Sequence, residues 1–458
     1  MAETSSSTPK PVGYYRWTIS ALLFFSVAVN YIDRLVIGIL KRPLSEQLGW
    51  SEADYGHIAA AFNFAYAFGY LFGGRLMDRF GVKRGLPMFV LAWSAAAMAH
   101  GLCGLIGVSE QFHLNYPWFA GFEKGIVWMT LAMPMTAAGF MFARIALGLA
   151  EGGNFPGAIK AVAEWYPVKE RAFATGLFNA GSNVGAVLCP IGVPWVFSHL
   201  GWEATFYITG GIGFIWVAAW WWIYETPEKQ PRLSTAELNY IKEGKPAVED
   251  KPVKVPWLSL LRYRAVWAYV IASILAGPAW GFYQFFLPDF LDKRFHLDLQ
   301  EIGTWTAAFF AIAAIGGMLG GWLPGRLMNR GWSVNGARKV SLLICALAVV
   351  PVFFAPYAKG IWLAVIIVGI AGSAHQGWSA NLYSVVSDTM PKEAISSVVG
   401  LGGFVAYFTG GFVSEITGNI LEKTGSYVTV FAYFSGMYVL SLLAIQLLVP
   451  VIGKSQKP

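Results

Sequence analysis

Four ionisable residues stand inside apolar runs of this 458-residue chain, at spacings that suit chemistry. Two are neighbours, in Tyr31-Ile-Asp33-Arg34. The other two, Arg144 and Glu151, are seven residues apart, which is two helical turns, so they share one face of a helix. An arginine in a drying cavity is a planar, permanently charged fork that fits a carboxylate. A buried carboxylate without a fixed partner can take up and release a proton. Glu151 has no basic residue within one turn of its own helix, whereas Asp33 can neutralise Arg34 beside it. Arginine for an anion and a carboxylate for a proton make the smallest set that anion–proton symport needs. The alternative is that the four charges pair only to hold two helices together. That reading weighs most for Asp33 with Arg34.

A second group is neutral. Trp280, Tyr283 and Gln284 follow a break at Pro278, and His375-Gln376-Gly-Trp-Ser379-Ala-Asn381 runs through a later apolar stretch. Residues 375 and 379 lie one turn apart on one face. Neutral donors and acceptors beside an aromatic face suit sugar hydroxyls, although any single Tyr or Asn can equally hold two helices together. Asn63, Tyr66, Asn179, Ser182 and Asn183 extend this group. No nucleotide-binding loop, metal cluster or nucleophile–base pattern is present. The chain is therefore read as a non-enzyme without cofactor or metal, driven by an ion gradient instead of ATP.

These residues need elements at bilayer depth to position them. The chain is 56% hydrophobic and 13% charged, where soluble domains carry about 25% charged residues. A membrane helix needs about 20 apolar residues. Twelve runs qualify: 16–40, 55–77, 85–107, 137–160, 172–195, 202–224, 264–290, 302–327, 339–357, 360–383, 396–419 and 426–450. Arg34 then lies about 9 Å below one end of the first span, at a depth matched by Arg144 in the fourth. The segment 108–136 exceeds a simple turn and reads as a folded loop or half-buried hairpin. The net charge of +7 comes from short loops, which argues for membrane orientation and against nucleic acid. Arg79, Lys83, Arg84, Lys169, Arg171, Arg330, Arg338 and Lys339 fall on the side shared with both termini. The positive-inside rule puts that side in the cytoplasm. Cys103, Cys189 and Cys345 read as isolated buried thiols.

The two halves repeat. Gly74-Arg-Leu-Met-Asp-Arg79 recurs as Gly325-Arg-Leu-Met-Asn-Arg330, and residues 148–177 align without a gap on 372–401. The expected fold is all-α and integral to the membrane, with two six-helix bundles related by a pseudo-two-fold axis along the membrane normal and a site between them. The bundles span 14–224 and 263–452. A central loop covers 225–262, where Ser234-Thr-Ala-Glu237 predicts a helix start. Tails occupy 1–13 and 453–458.

Gly74-x-x-x-Asp78-Arg79-x-Gly81-x-Lys83-Arg84 resembles the loop signature of the major facilitator superfamily, and the resemblance covers 14–452. Tyr31-x-Asp33-Arg34 and Arg144-(six)-Glu151 resemble its anion:cation symporter family. Leu275-Ala-Gly-Pro-Ala-Trp-Gly281, Ala374-His-Gln376 and Glu164-Trp-Tyr-Pro-x-Lys-Glu-Arg171 resemble the hexuronate branch. The resemblance implies a monomeric, proton-coupled carrier of a sugar acid such as galacturonate or glucuronate, in a bacterial inner membrane among lipid. Aldonate or glucarate is the alternative cargo, and a membrane sensor or scaffold on the same fold the different-class alternative. It further implies that Asp33 and Glu151 take up protons and that Arg144 handles substrate. Tyr66 and Ser182 are implied to touch substrate, with Tyr31, Arg34, Asn179, Tyr283, Gln284, His375, Gln376, Ser379 and Asn381 completing the expected set. Asp78 is expected to pair with a cytoplasmic arginine and to accept from the start of a facing helix, closing the inner side.

Overall fold

The computed structural model describes residues 13–107, 109–119, 126–167, 170–243, 257–390 and 392–452. Lys169, residues 244–256 of the central loop and the expected tails apart from Gly13 lie outside that set. Nine helices among the described residues are long and apolar enough to cross a membrane. Two of them are double. Glu52–Leu102 turns at Gly81, with φ +72°, and Arg171–Ile223 turns at Gly201, with φ +83°. A side chain disfavours that backbone region and glycine does not. One further span is built from two shorter pieces, Met135–Glu151 and Asn154–Trp165, on either side of Gly152-Gly153. The total is twelve spans. The first is Tyr15–Ile39. The seventh comes in three pieces, Arg264–Ala276, Pro278–Phe285 and Leu287–Phe295. Pro278 and Pro288 interrupt it because neither has an N–H to continue the ladder. The eighth, tenth, eleventh and twelfth are Leu299–Asn329, Ile361–Thr389, Lys392–Thr424 and Val428–Leu448. The ninth, Val334–Val349, continues as a tighter helix to Tyr357.

Glycine lets the second and fourth spans touch backbone to backbone. A Cβ on Gly69 would come within 2.5 Å of the Leu149 carbonyl oxygen, and one on Gly152 within 2.3 Å of the Gly69 carbonyl carbon. The same contact brings Gly148, one turn before Glu151, against the backbone of Phe62 and Tyr66. The segment after the third span is a two-stranded antiparallel hairpin, β1 (Gln111–Phe119) and β2 (Ile126–Pro134), paired from Gln111 with Pro134 to Phe119 with Ile126. At its base, Gln111, His113, Leu114, Asn115 and Thr130 are exposed.

Ser234 caps the central-loop helix Thr235–Lys242 by accepting from the Glu237 amide at 3.1 Å. The predicted capping box is only half used, because the Glu237 carboxylate serves the first span instead. It accepts from the backbone amides of Tyr15 and Arg16, each at 3.1 Å, and from Arg16 Nη1 at 3.2 Å. Arg16 also reaches Glu170 at 3.0 Å.

Bonds between the halves cluster at the end opposite the termini. Lys41 lies 2.6 Å from Glu52 and 2.7 Å from Asp289. Lys293 bonds the same two carboxylates, and Tyr427 donates to Asp289. Arg42 meets Asp292 at 2.8 Å and His57 meets Glu415 at 2.7 Å. Tyr55 donates to the Phe285 carbonyl at 2.6 Å. This end is therefore shut by a lattice of opposite charges.

Candidate functional site

Between the halves lies a cavity of about 290 Å³. Nine residues singled out in the sequence reach its wall: Tyr31, Asn63, Tyr66, Asn179 and Ser182 from one half, and Trp280, His375, Gln376 and Ser379 from the other. Trp280 stacks on the His375 ring, with centroids 5.4 Å apart and planes 8° from parallel. His375 is held at both nitrogens. Nδ1 lies 2.5 Å from the Tyr438 hydroxyl and Nε2 lies 3.4 Å from Ser379 Oγ. No Lys, Arg, Asp or Glu occurs among the described lining residues.

The charges stand one layer behind the wall. Arg34 is 1% exposed, and its Nε and Nη2 donate to Glu151 Oε2 at 3.0 and 2.9 Å. Its guanidinium also lies over the rings of Tyr31, Tyr66 and Phe62, at 5.0, 4.4 and 5.3 Å. The expectation that Glu151 has no fixed partner is thus corrected. Its partner comes from another helix, which the spacing along its own helix cannot reveal. The alternative pairing of Asp33 with Arg34 does not form. Successive helical side chains point about 100° apart, so Asp33 turns into the bundle and faces Trp93 and Thr209. Both of its oxygens are buried without a hydrogen-bond partner of good geometry.

Arg144 Nη1 donates to the Arg34 carbonyl at 3.1 Å, which puts the two arginines at one level. Its Nε and Nη2 have no partner, and Glu151 Oε1 has none. The Phe62 ring is shared by the two cations, 5.3 Å from Arg34 and 5.6 Å from Arg144. Buried polar atoms without partners are rare and call for explanation. Here five such atoms belong to three members of one charged cluster.

Three expected contact residues lie elsewhere in this conformation. Asn381 donates to the Gly320 and Gly377 carbonyls at 2.8 and 2.9 Å, tying the tenth span to the eighth. Tyr283 packs on Phe309 with ring centroids 5.1 Å apart. Gln284 sits one turn beyond Trp280, inside the shut end, where its backbone presses on Gly38 of the first span. Other cavity residues escaped the sequence reading: Asn30, Asn154, Tyr70, Tyr269, Tyr383 and Tyr407. Asn30 stands one turn before Arg34, and Tyr70 one turn after Tyr66. Those intervals were the available signal.

In the loop signature, Gly81 makes the turn already described. Gly74 faces Pro156, whose Cβ would lie 4.0 Å from a Cβ added to that glycine. Asp78 pairs with Lys160 at 2.8 Å, so the expected arginine partner is a lysine of its own half. Lys83 bonds Glu225, Arg79 lies over the Phe80 ring at 5.7 Å, and Arg84 is exposed.

The chain is similar to known transporters. It is 29% identical over 419 residues to the hexuronate transporter of Escherichia coli (strain K12), covering 90% of this chain and 88% of that one. It is 29% identical over 351 residues to the galacturonate transporter of Dickeya chrysanthemi, covering 75% and 92%. Its fold matches the crystal structure of a D-xylose-proton symporter with a TM-score of 0.71 at 15% identity, over 97% of this chain and 100% of that one. Residues 23–415 match the Major Facilitator Superfamily, and the chain belongs to that family of membrane transporters.

Proposed function

We propose that this protein imports a hexuronate by proton symport with alternating access, and that 14–224 and 263–452 are its two moving bodies. The observation that carries the proposal is the Arg34–Glu151 pair, buried one layer behind an otherwise uncharged cavity. While Glu151 is ionised, Arg34 is occupied. When Glu151 takes a proton, Arg34 loses its counter-ion at a site where an uncompensated charge is costly. A sugar carboxylate entering the cavity then restores the balance. Proton and anion favour each other's binding, as symport requires. Asp33 supplies a second protonatable group, and Arg144 a second cation with free donors for a carboxylate. The neutral wall of Tyr31, Tyr66, Asn179, Ser182, His375, Gln376 and Ser379 recognises the sugar hydroxyls. Tyr283, Gln284 and Asn381 join when the helices rearrange.

The names of the relatives support a sugar acid, and the size and neutrality of the wall support a single sugar unit. The loop cations support a cytoplasmic location for both termini, in a bacterial inner membrane, with the protein acting as a monomer. The shut end is then the outer one. The test is uptake of labelled galacturonate into vesicles with and without an imposed proton gradient. Gradient-dependent accumulation is the expected result. Accumulation of gluconate or glucarate but not galacturonate would move the assignment to those acids, and uptake indifferent to the gradient would end the symport reading.

A further inference from the structure

Asn30 belongs both to the cavity wall and to the hydrogen-bonded surroundings of the buried ion pair. It lines the cavity, is 3% exposed, and accepts from Arg34 Nη2 at 3.2 Å through Oδ1. The orientation of its amide follows from chemistry. A guanidinium carries only donors, so the atom facing Arg34 must be the oxygen. The amide nitrogen is thereby turned away from Arg34, and Nδ2 has no partner. Two other buried asparagines of the first-half wall are spent differently: Asn154 Oδ1 accepts from Ser26 at 2.6 Å, and Asn63 Nδ2 donates to the Ala59 carbonyl at 3.1 Å and to Ser414 Oγ at 3.2 Å.

We infer that Asn30 is a substrate-positioning residue, whose Nδ2 donates to an acceptor oxygen of the bound anion while Arg34 fixes its amide from behind. The chemistry selected is an oxygen with free lone pairs, and a carboxylate or a sugar hydroxyl meets that need. A buried donor costs free energy until it is paired, so the site favours a ligand that pairs it. Because the same amide touches Arg34, a ligand at Nδ2 is one hydrogen bond from the Arg34–Glu151 pair. That contact gives the uncharged wall a connection to the charges behind it. The inference rests on the sugar-acid reading above.

The test uses the full-length protein in vesicles, with counterflow of whichever of galacturonate, gluconate or glucarate the wild type carries. Asn30→Asp keeps the shape and the acceptor for Arg34 but replaces the donor with a repelling oxygen. It should raise KM about 10- to 100-fold, the range for a lost hydrogen bond to a charged group. Asn30→Ser has a hydroxyl that can accept from Arg34 and donate to the cavity at once, so its KM should lie closer to wild type than that of Asn30→Ala. An unchanged KM in Asn30→Asp overturns the inference, as does a fall in kcat alone, which would mark a purely structural role. Should Asn30→Asp fail to fold, the Ser and Ala variants decide, and equal KM values in the two overturn it. A wild type that carries none of the three acids would instead overturn the sugar-acid reading.

Discussion

The two halves share a fold but not a charge inventory. Extending the ungapped repeat by one turn sets Glu151 opposite His375 and Arg144 opposite Val368. Glu151 and Arg144 are fully buried in a cluster of two acids and two arginines. Their counterparts are an imidazole held by Tyr438 and Ser379 and a buried aliphatic side chain. The loops diverge in the same direction. Asp78 and Lys160 form an ion pair, where the other half has Asn329 and Ser384. Duplication supplied two equivalent frames, and the ion chemistry settled in one. On the proposed reading, the first half manages protons and the anionic end of the substrate, while the second reads the sugar.

The strongest way to break this comparison is Glu151→Gln. The variant mimics the protonated acid permanently and leaves Arg34 without its counter-ion. It should still exchange substrate in counterflow yet lose proton-driven accumulation, and added substrate should raise its melting temperature more than that of wild type. Accumulation that survives would pass the coupling role to Asp33. Next is Arg144→Lys, which keeps the charge but not the fork. Transport should fall by about tenfold or more, the scale of one charge-assisted hydrogen bond, and near-normal uptake would reduce Arg144 to a structural tie.

His375→Gln probes the other half. It should weaken affinity by about three- to tenfold, as for a neutral hydrogen bond, and leave the dependence on the proton gradient intact. Loss of coupling with affinity preserved would dissolve the division of labour. The smallest effect belongs to the loop. Lys83 holds the Glu225 carboxyl below its ordinary range through a direct hydrogen bond, and the repeat has Val334 where Lys83 stands. A carboxyl with a lowered folded value stabilises above its unfolded value, and that contribution is lost as pH falls through the folded one. Lys83→Met should therefore cost less than about 1 kcal/mol at neutral pH, since the pair is partly solvated, and the difference should vanish in acid melts.

Periodicity and length made the twelve spans legible, because a bilayer imposes one apolar length on every helix. The Gly81 and Gly201 turns fall between predicted spans, where a change of direction had to occur. Pairing was less legible. Arg34 and Glu151 are 117 residues apart, and nothing in either segment names the other. The same limit hid the lattice at the shut end, where Lys41 and Lys293, from opposite halves, share the carboxylates of Glu52 and Asp289. Asn381 misled for a different reason: it shares a short segment with His375, but its amide is consumed by two backbone carbonyls. Asn30 went unnoticed because one asparagine in an apolar helix has many meanings until its partner is known.

Phe62 links chemistry to mechanics. Its ring lies beside both the Arg34 and Arg144 guanidiniums and also meets Phe285 of the opposite half, with centroids 5.6 Å apart. Phe285 in turn offers its carbonyl to Tyr55 inside the shut end. On the proposed alternating-access reading, a rocking motion that parts that end would carry Phe285 away and unload the ring from one side. Phe62 would then work as a lever arm, its long end in the gate and its short end among the charges. On that reading, the force that opens the gate reaches the Arg34 and Arg144 guanidiniums through the one ring they share.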